Sequence, residues 1–190
     1  MARTAEVERN TKETSIKMKL NVDGRGEARL DYPIGFMAHM LTVFARHGLF
    51  DIEIKASGDL EVDQHHLTED TGIVLGQCFD RALGERRGIH RVGSCLFPMD
   101  ECLARGAVDI SGRPFLVFEA PALQPDTVYD FWQGFVSGSA ITLHLDILRG
   151  RSAHHMCEAL FKAAARALRE ACEIDPGAPD LIPSSKGVIV

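Results

Sequence analysis

Residues 15–22, SIKMKLNV, alternate polar and apolar side chains, and a period of two predicts a strand with one buried face. Asp23 and Gly24 follow as a turn, which places residues 27–30 to return as the second strand of a hairpin. Residues 36–47 carry apolar side chains at helical spacing up to Gly48. Residues 50–56, FDIEIKA, alternate again and stop at Ser57-Gly58-Asp59, and residues 68–83 read as a helix ended by Gly84. The second half repeats this order. Residues 95–110 and 114–118 read as strands around the turn Ser111-Gly112-Arg113, and residues 127–137 have helical spacing. Residues 141–148, ITLHLDIL, alternate and end at Gly150, and residues 153–172, rich in Ala, Leu, Arg and Glu, form the strongest helical pattern. A proline-rich stretch, DPGAPDLIP at 175–183, leads into SSKGVIV.

A motif recurs with the pattern. HHLTE at 65–69 and HHMCE at 154–158 share H-H-x-x-E, 89 residues apart, each after a turn that follows an alternating strand and each opening a helix. A shuffled chain of this composition would contain about 0.02 copies. One copy alone reads as polar residues on a solvated helix start. Two in matching contexts predict duplication of one strand-and-helix unit, with residues 1–90 as the first repeat and 91–190 as the second, in one compact functional unit. A period near half the chain excludes a solenoid, whose repeats are shorter.

Each residue of a helix turns about 100° from the last, so positions i and i+4 share a face. His65 and Glu69 can meet one cation, as can His154 and Glu158, while His66 and His155 point elsewhere and reach a different ion more easily. Four histidines and two carboxylates thus predict two metal positions. Imidazole with carboxylate and no thiolate suits Mn, Fe or Zn. Asp63 and Asp70 flank the first motif and are placed to orient imidazoles. His39, in the apolar segment FMAHML, would by itself be a core histidine; it becomes a candidate ligand because two metals need more donors.

Composition narrows the function. The chain has 190 residues, 45% hydrophobic and 25% charged, with a formal charge of −6. That is ordinary for a globular protein and excludes a disordered tail, a coiled-coil rod and a nucleic-acid binder acting through bulk positive charge. No apolar run reaches the roughly 18 residues that span a bilayer, and MARTAEVERNTKET lacks an apolar leader segment. Cys78, Cys95, Cys102, Cys157 and Cys172 are odd in number and lack C-x-x-C spacing, so reduced thiols and a cytoplasmic setting are expected. Arg91, Arg113, Lys162, Ser184, Ser185 and Lys186 are cationic or hydroxylic groups of the kind that hold phosphate. A protein of negative net charge that binds a phosphate ester must concentrate them locally.

TKET (11–14), AHML (38–41), RHGLFD (46–51), GDLEVDQHHLTED (58–70), GIHRVG (88–93), PMDE (98–101), DISGRP (109–114), TLH (142–144), HHMCEALFKAAARALR (154–169) and PSSKG (183–187) follow one another through nearly the whole chain. In this order they resemble the imidazoleglycerol-phosphate dehydratase family. The resemblance implies a duplicated α+β unit, each half a mostly antiparallel sheet with two helices. It also implies a homo-oligomer of twenty-four subunits with active sites between neighbours and no nucleic-acid or membrane partner. It implies two manganese ions, one taking His65, His154 and Glu158, the other His39, His66, Glu69 and His155. Arg91, Arg113, Lys162, Ser184 and Lys186 fall where the family grips the substrate phosphate, and Glu13 and Asp100 fall near the glycerol chain. The chain departs from the family where Ala38 stands for an aspartate, where Thr42 and Val43 stand for an Asp-Gln pair, and where Asp130 stands for a metal-ligand histidine. Asp130 is still an oxygen donor that manganese accepts.

The implied reaction converts imidazole glycerol phosphate to imidazole acetol phosphate. The proton to be lost has no neighbouring carbonyl, so direct abstraction would be very slow. A ring bound to metal as imidazolate can instead expel the adjacent hydroxyl and form a conjugated diazafulvene. A carboxylate must take the proton, with Glu13, Glu69 and Glu158 as candidates. Two rival readings are a two-metal phosphoesterase and a non-catalytic protein whose metals clip subunits together. Neither accounts for TKET, PMDE, SGRP and PSSKG as a set.

Overall fold

The computed structural model describes residues 2–120 and 127–189. The first half runs β1 (Thr4–Asn10), β2 (Thr14–Asn21), β3 (Ala28–Asp31), α1 (Gly35–Gly48), β4 (Asp51–Gly58) and α2 (His65–Leu83). The second runs β5 (Val92–Met99), β6 (Cys102–Asp109), β7 (Phe115–Glu119), α3 (Thr127–Ser139), β8 (Thr142–Arg149) and α4 (Ala153–Cys172). Each half makes a four-stranded sheet, β1-β2-β4-β3 and β5-β6-β8-β7, antiparallel except for its last pair. The architecture is a duplicated α+β unit, each sheet mostly antiparallel and accompanied by two helices.

Three local expectations are corrected. Residues 27–30 do not return beside β2; β3 pairs parallel with β4, with Ala28 opposite Ile52. The Asp51 carboxylate accepts from the backbone N–H of Arg25 at 2.8 Å and of Glu27 at 3.0 Å, which carries the chain across to the far side of β4. The neighbour of β2 is instead β1, a strand hidden from the hydrophobic pattern because only Val7 of its seven residues is fully buried. Residues 95–110 contain a turn of their own between β5 and β6, where Asp100 takes a left-handed backbone (φ 49°). Finally, α2 begins at His65 rather than at 68, so the whole first H-H-x-x-E segment is helical.

The helices lie on the sheets and join the halves. α2 packs on β1 and β2, α4 packs on β5 and β6, and the pairs α1–α4 and α2–α3 cross from one half to the other. Their inward side chains form one core. Phe44 of α1 lies 6.1 Å from Trp132 of α3, Phe79 of α2 lies 5.6 Å from Phe135, and Trp132 lies 4.8 Å from Phe161 of α4, all fully buried. Buried cysteines belong to this packing. Burial pushes the thiols of Cys157 and Cys172 up to about 12, which keeps them protonated. Among the described residues no helix is long and apolar enough to cross a membrane.

The α2–α3 contact is unusually close because it is glycine on glycine. Gly72 and Gly76 of α2, and Gly134 and Gly138 of α3, are each four apart and so share a helix face. A Cβ at Gly72 would run into the carbonyl oxygen of Phe131, one at Gly76 into that of Phe135, and one at Gly138 into that of Ile73. The contact sets the start of α3 against the start of α2, and that juxtaposition builds part of the site.

Candidate active site

At the start of α2, Asp63 accepts from the backbone N–H of His65 at 2.7 Å, one of the N–H groups the helix itself leaves unpaired. His65 donates from Nδ1 to Asp130 Oδ2 of α3 at 2.9 Å, and its Nε2 lies 3.9 Å from Glu69 Oε2, one helical turn on. His66 donates from Nδ1 to Asp59 Oδ2 at 3.0 Å, with Glu13 Oε2 at 4.0 Å. The hydrogen bond to Asp59 raises the His66 pKa, with Glu13 and Asp63 adding to it against some desolvation. Asp70 faces the other way, accepting from Thr14 Oγ1 at 2.5 Å and pairing with Arg9 Nε at 2.9 Å. The expectation that Asp63 and Asp70 orient the imidazoles is therefore corrected. Asp63 serves the backbone, Asp70 lies on the buried helix face, and Asp59 and Asp130 meet the rings.

The start of α4 is built in the same manner. Ser152 caps it, accepting from the His155 N–H. His154 Nε2 and His39 Nε2 of α1 both lie 3.2 Å from the same oxygen, Glu158 Oε2, and the two rings stack with centroids 5.6 Å apart. Donor atoms of His39, His154 and Glu158 all fall within 4.8 Å of one another. Burial by itself would raise the Glu158 pKa, but Lys162, 2.8 Å from Oε1, and His39 bring it down to about 2. His155 donates from Nδ1 to Glu101 Oε2 at 2.9 Å, with Asp100 Oδ2 at 4.0 Å. That pair raises His155 and holds Glu101 at about 2.

The basic groups gather at another place. Arg91, Arg113, Ser184 and Lys186 line a cleft of about 470 Å³ together with Ser111, Ser185, Val188 and Ile189. Arg91 is committed within it. Its Nε and Nη2 reach the two oxygens of Asp109 at 2.7 and 3.1 Å, and its Nη1 donates to the Pro183 carbonyl at 2.8 Å, which ties down the C-terminal segment. Among the described residues Arg113 and Lys186 enter no ion pair and present their charge to the cleft. Lys162 does not line it; besides Glu158 it lies 5.4 Å over the Phe97 ring.

Within one chain the donors fall into separate groups. His39 of α1 joins His154 and Glu158 of α4, while Asp130 of α3 joins His65 and Glu69 of α2. Among the described residues no compact group combines donors from both ends. Imidazole nitrogen and ionised carboxylate, with no thiolate, form a donor set that fits manganese or a similar divalent ion. Sequence reasoning missed Asp59 altogether, reading it as turn punctuation after Gly58, and met Glu101 only as the last residue of PMDE without giving it a role. The one available signal was duplication, since Glu13 and Asp100 occupy matching strand turns and both come to 4.0 Å from the second histidine of a motif. Of the replaced positions, Thr42 bonds back to the Ala38 carbonyl at 2.9 Å and Val43 is buried.

Comparison with known proteins places these motifs among relatives. The profile described as imidazoleglycerol-phosphate dehydratase matches residues 33–168. The protein of that name from Cupriavidus taiwanensis is 49% identical over 98% of this chain and 100% of its own length. The one from Methylibium petroleiphilum is 52% identical over 97% and 96%. Solved structures of the same description are similar throughout. That from Staphylococcus aureus has a TM-score of 0.81 at 35% identity, covering 90% of this chain and 99% of the other. That from Pyrococcus furiosus has a TM-score of 0.83 at 33% identity, covering 96% and 99%.

Proposed function

The chain belongs to the imidazoleglycerol-phosphate dehydratase family, and on that premise we propose that its reaction uses two manganese ions held jointly by two copies of the chain. The enzyme is a carbon–oxygen lyase of histidine biosynthesis that removes water from imidazole glycerol phosphate and yields imidazole acetol phosphate. One observation carries the two-copy reading: the α1–α4 end offers His39, His154, His155 and Glu158, the α2–α3 end offers His65, His66, Glu69 and Asp130, and the two sets stay apart within a chain. Joining one set from each copy supplies eight donors for two cations, which leaves positions open on each for the substrate. Exposed apolar side chains on the outer face of the second sheet, Val92, Leu96 and Phe115, at 58–60% exposure, support self-association into a large symmetric assembly.

When bound, the two cations would supply Lewis acidity to the substrate ring nitrogen and to the departing hydroxyl. The chain's own groups do the rest. Glu158 stays ionised down to about pH 2, so it is a poor proton acceptor and serves as a ligand. Glu13 and Glu69 then remain as the carboxylates placed to take the carbon-bound proton, with Asp100 beside the glycerol chain. Asp130 commits one oxygen to His65 and offers the second where relatives carry imidazole. Arg113, Ser184 and Lys186 hold the phosphate, Arg91 holds the segment that carries Ser184 and Lys186, and this remote grip positions the ring. Lys162 is paired with Glu158 and stays outside the cleft that Arg113, Ser184 and Lys186 line.

The direct test incubates purified protein with manganese and imidazole glycerol phosphate and follows imidazole acetol phosphate. Release of inorganic phosphate without the ketone would instead support an esterase. Exhaustive chelation is expected to abolish turnover and manganese to restore it; turnover that survives chelation would remove the cations from the reaction. Lys186→Ala is expected to raise KM by about tenfold to a hundredfold, the worth of one charge-assisted hydrogen bond, with kcat little changed. Unchanged KM would take the C-terminal segment out of the substrate site.

A further inference from the structure

We infer that Asp59 and Glu101 are positioning residues, each accepting the Nδ1 proton of the second histidine of a motif so that Nε2 is left as the metal donor; the inference rests on the two-cation reading above. His66 meets Asp59 at 3.0 Å and His155 meets Glu101 at 2.9 Å, in both cases through Nδ1. An imidazole whose Nδ1 carries the proton has its lone pair on Nε2, and a carboxylate on Nδ1 locks both tautomer and ring orientation.

The two contacts are not copies of each other. In each half the turn between the first two strands meets the loop that runs from the third long strand into the helix. In the first half the carboxylate comes from the loop, since Asp59 follows β4, and its backbone N–H is tied to the turn by a 3.0 Å bond to the Glu13 carbonyl. In the second half it comes from the turn, since Glu101 lies between β5 and β6, and Glu101 Oε1 is tied to the loop by the N–H groups of Ser152 at 2.9 Å and Arg151 at 3.3 Å. Duplication alone would have placed both carboxylates at one equivalent position. The junction is shared but the contributing segment is opposite, so what is common to the two halves is the contact with Nδ1.

The difference also separates positioning from mere packing. Glu101 Oε1 accepts two backbone N–H groups, so in Glu101→Gln the amide oxygen must stay there and the NH₂ group turns to His155. An NH₂ donor at Nδ1 puts the proton on Nε2 and blocks ligation. Among the described residues Asp59 Oδ1 has no partner, so in Asp59→Asn no backbone group holds the amide and it can set its oxygen toward His66 and keep the native tautomer.

The test titrates the full-length, metal-stripped protein with Mn²⁺ and reads affinity by calorimetry, with the melting temperature as a control on folding. Glu101→Gln is expected to bind manganese about 10–100-fold more weakly at one class of site with an unchanged melting temperature. Asp59→Ala is expected to show a loss of the same size, and Asp59→Asn to recover to within about threefold of wild type. A merely structural role predicts the reverse for the isosteric glutamine, so wild-type affinity in Glu101→Gln would overturn the inference. If the wild type itself binds no manganese, the two-cation reading falls and this inference falls with it.

Discussion

Alanine at His154 or at His65 is expected to eliminate dehydration, and a mixture of the two inactive variants, co-assembled, is expected to recover it. Each substitution removes one nitrogen from a different donor set: His154 from the group with His39 and Glu158, His65 from the group with Asp130 and Glu69. Losing a ligand of a cation that stabilises the transition state costs several kcal/mol, or about 10³-fold in rate or more. The mixture tests how sites are shared. If each site takes one set from each of two copies, random co-assembly leaves about one quarter of sites with both sets intact, and about a quarter of wild-type activity returns. If one chain supplied a whole site, every chain in the mixture would be defective and nothing would return. Activity of the separate variants near wild type would refute the donor assignment itself.

Gly76→Ala is expected to destabilise the fold although alanine is the better helix former. Propensity favours alanine over glycine in a helix interior by about 1 kcal/mol. Against this, the added Cβ meets the backbone carbonyl of Phe135 and the backbone of Ser139, which cannot rotate away as a flexible side chain does. Overpacking costs about 1–3 kcal/mol where side chains give way, and a backbone obstruction belongs at the top of that range or beyond. Gly76→Val adds more bulk with a smaller propensity gain and is expected to remove a large share of a stability that totals about 5–15 kcal/mol in domains of this kind. Thermal unfolding measures both. A melting temperature that rises in Gly76→Ala would show that the helices are not interlocked. Because the same contact carries Asp130 to His65, the alanine variant is also expected to weaken manganese binding at the α2–α3 end.

Several elements were legible along the chain because their physics is local. The helix at 153–172 matched to the residue, and β2, β4 and β8 matched within a residue or two, since one face of each packs on the core; burial alternates strictly in β2 and β4 and in β8 up to Leu145, after which Asp146 is buried as well. β1 was not legible, since its inward positions hold Ala5, Val7 and Arg9, and the pairing of Arg9 with Asp70 is visible only when α2 lies across the strand. The parallel placement of β3 was equally hidden, because it depends on a carboxylate at residue 51 reaching back to residues 25 and 27. In the site, the i and i+4 pairs were readable and the carboxylates on Nδ1 were not.

What the sequence determined alone was the duplication, the two H-H-x-x-E helix starts and the kind of atoms they present, because spacing within one helix translates directly into a shared face. What only the tertiary structure decided was which donors meet. α1 crosses onto α4 and α3 onto α2, so His39 from the first half joins the motif of the second and Asp130 from the second joins the motif of the first. That exchange follows from burying one aromatic core between two sheets, with a glycine-lined contact between α2 and α3, and core packing is a property of the folded whole that no local period in the chain encodes.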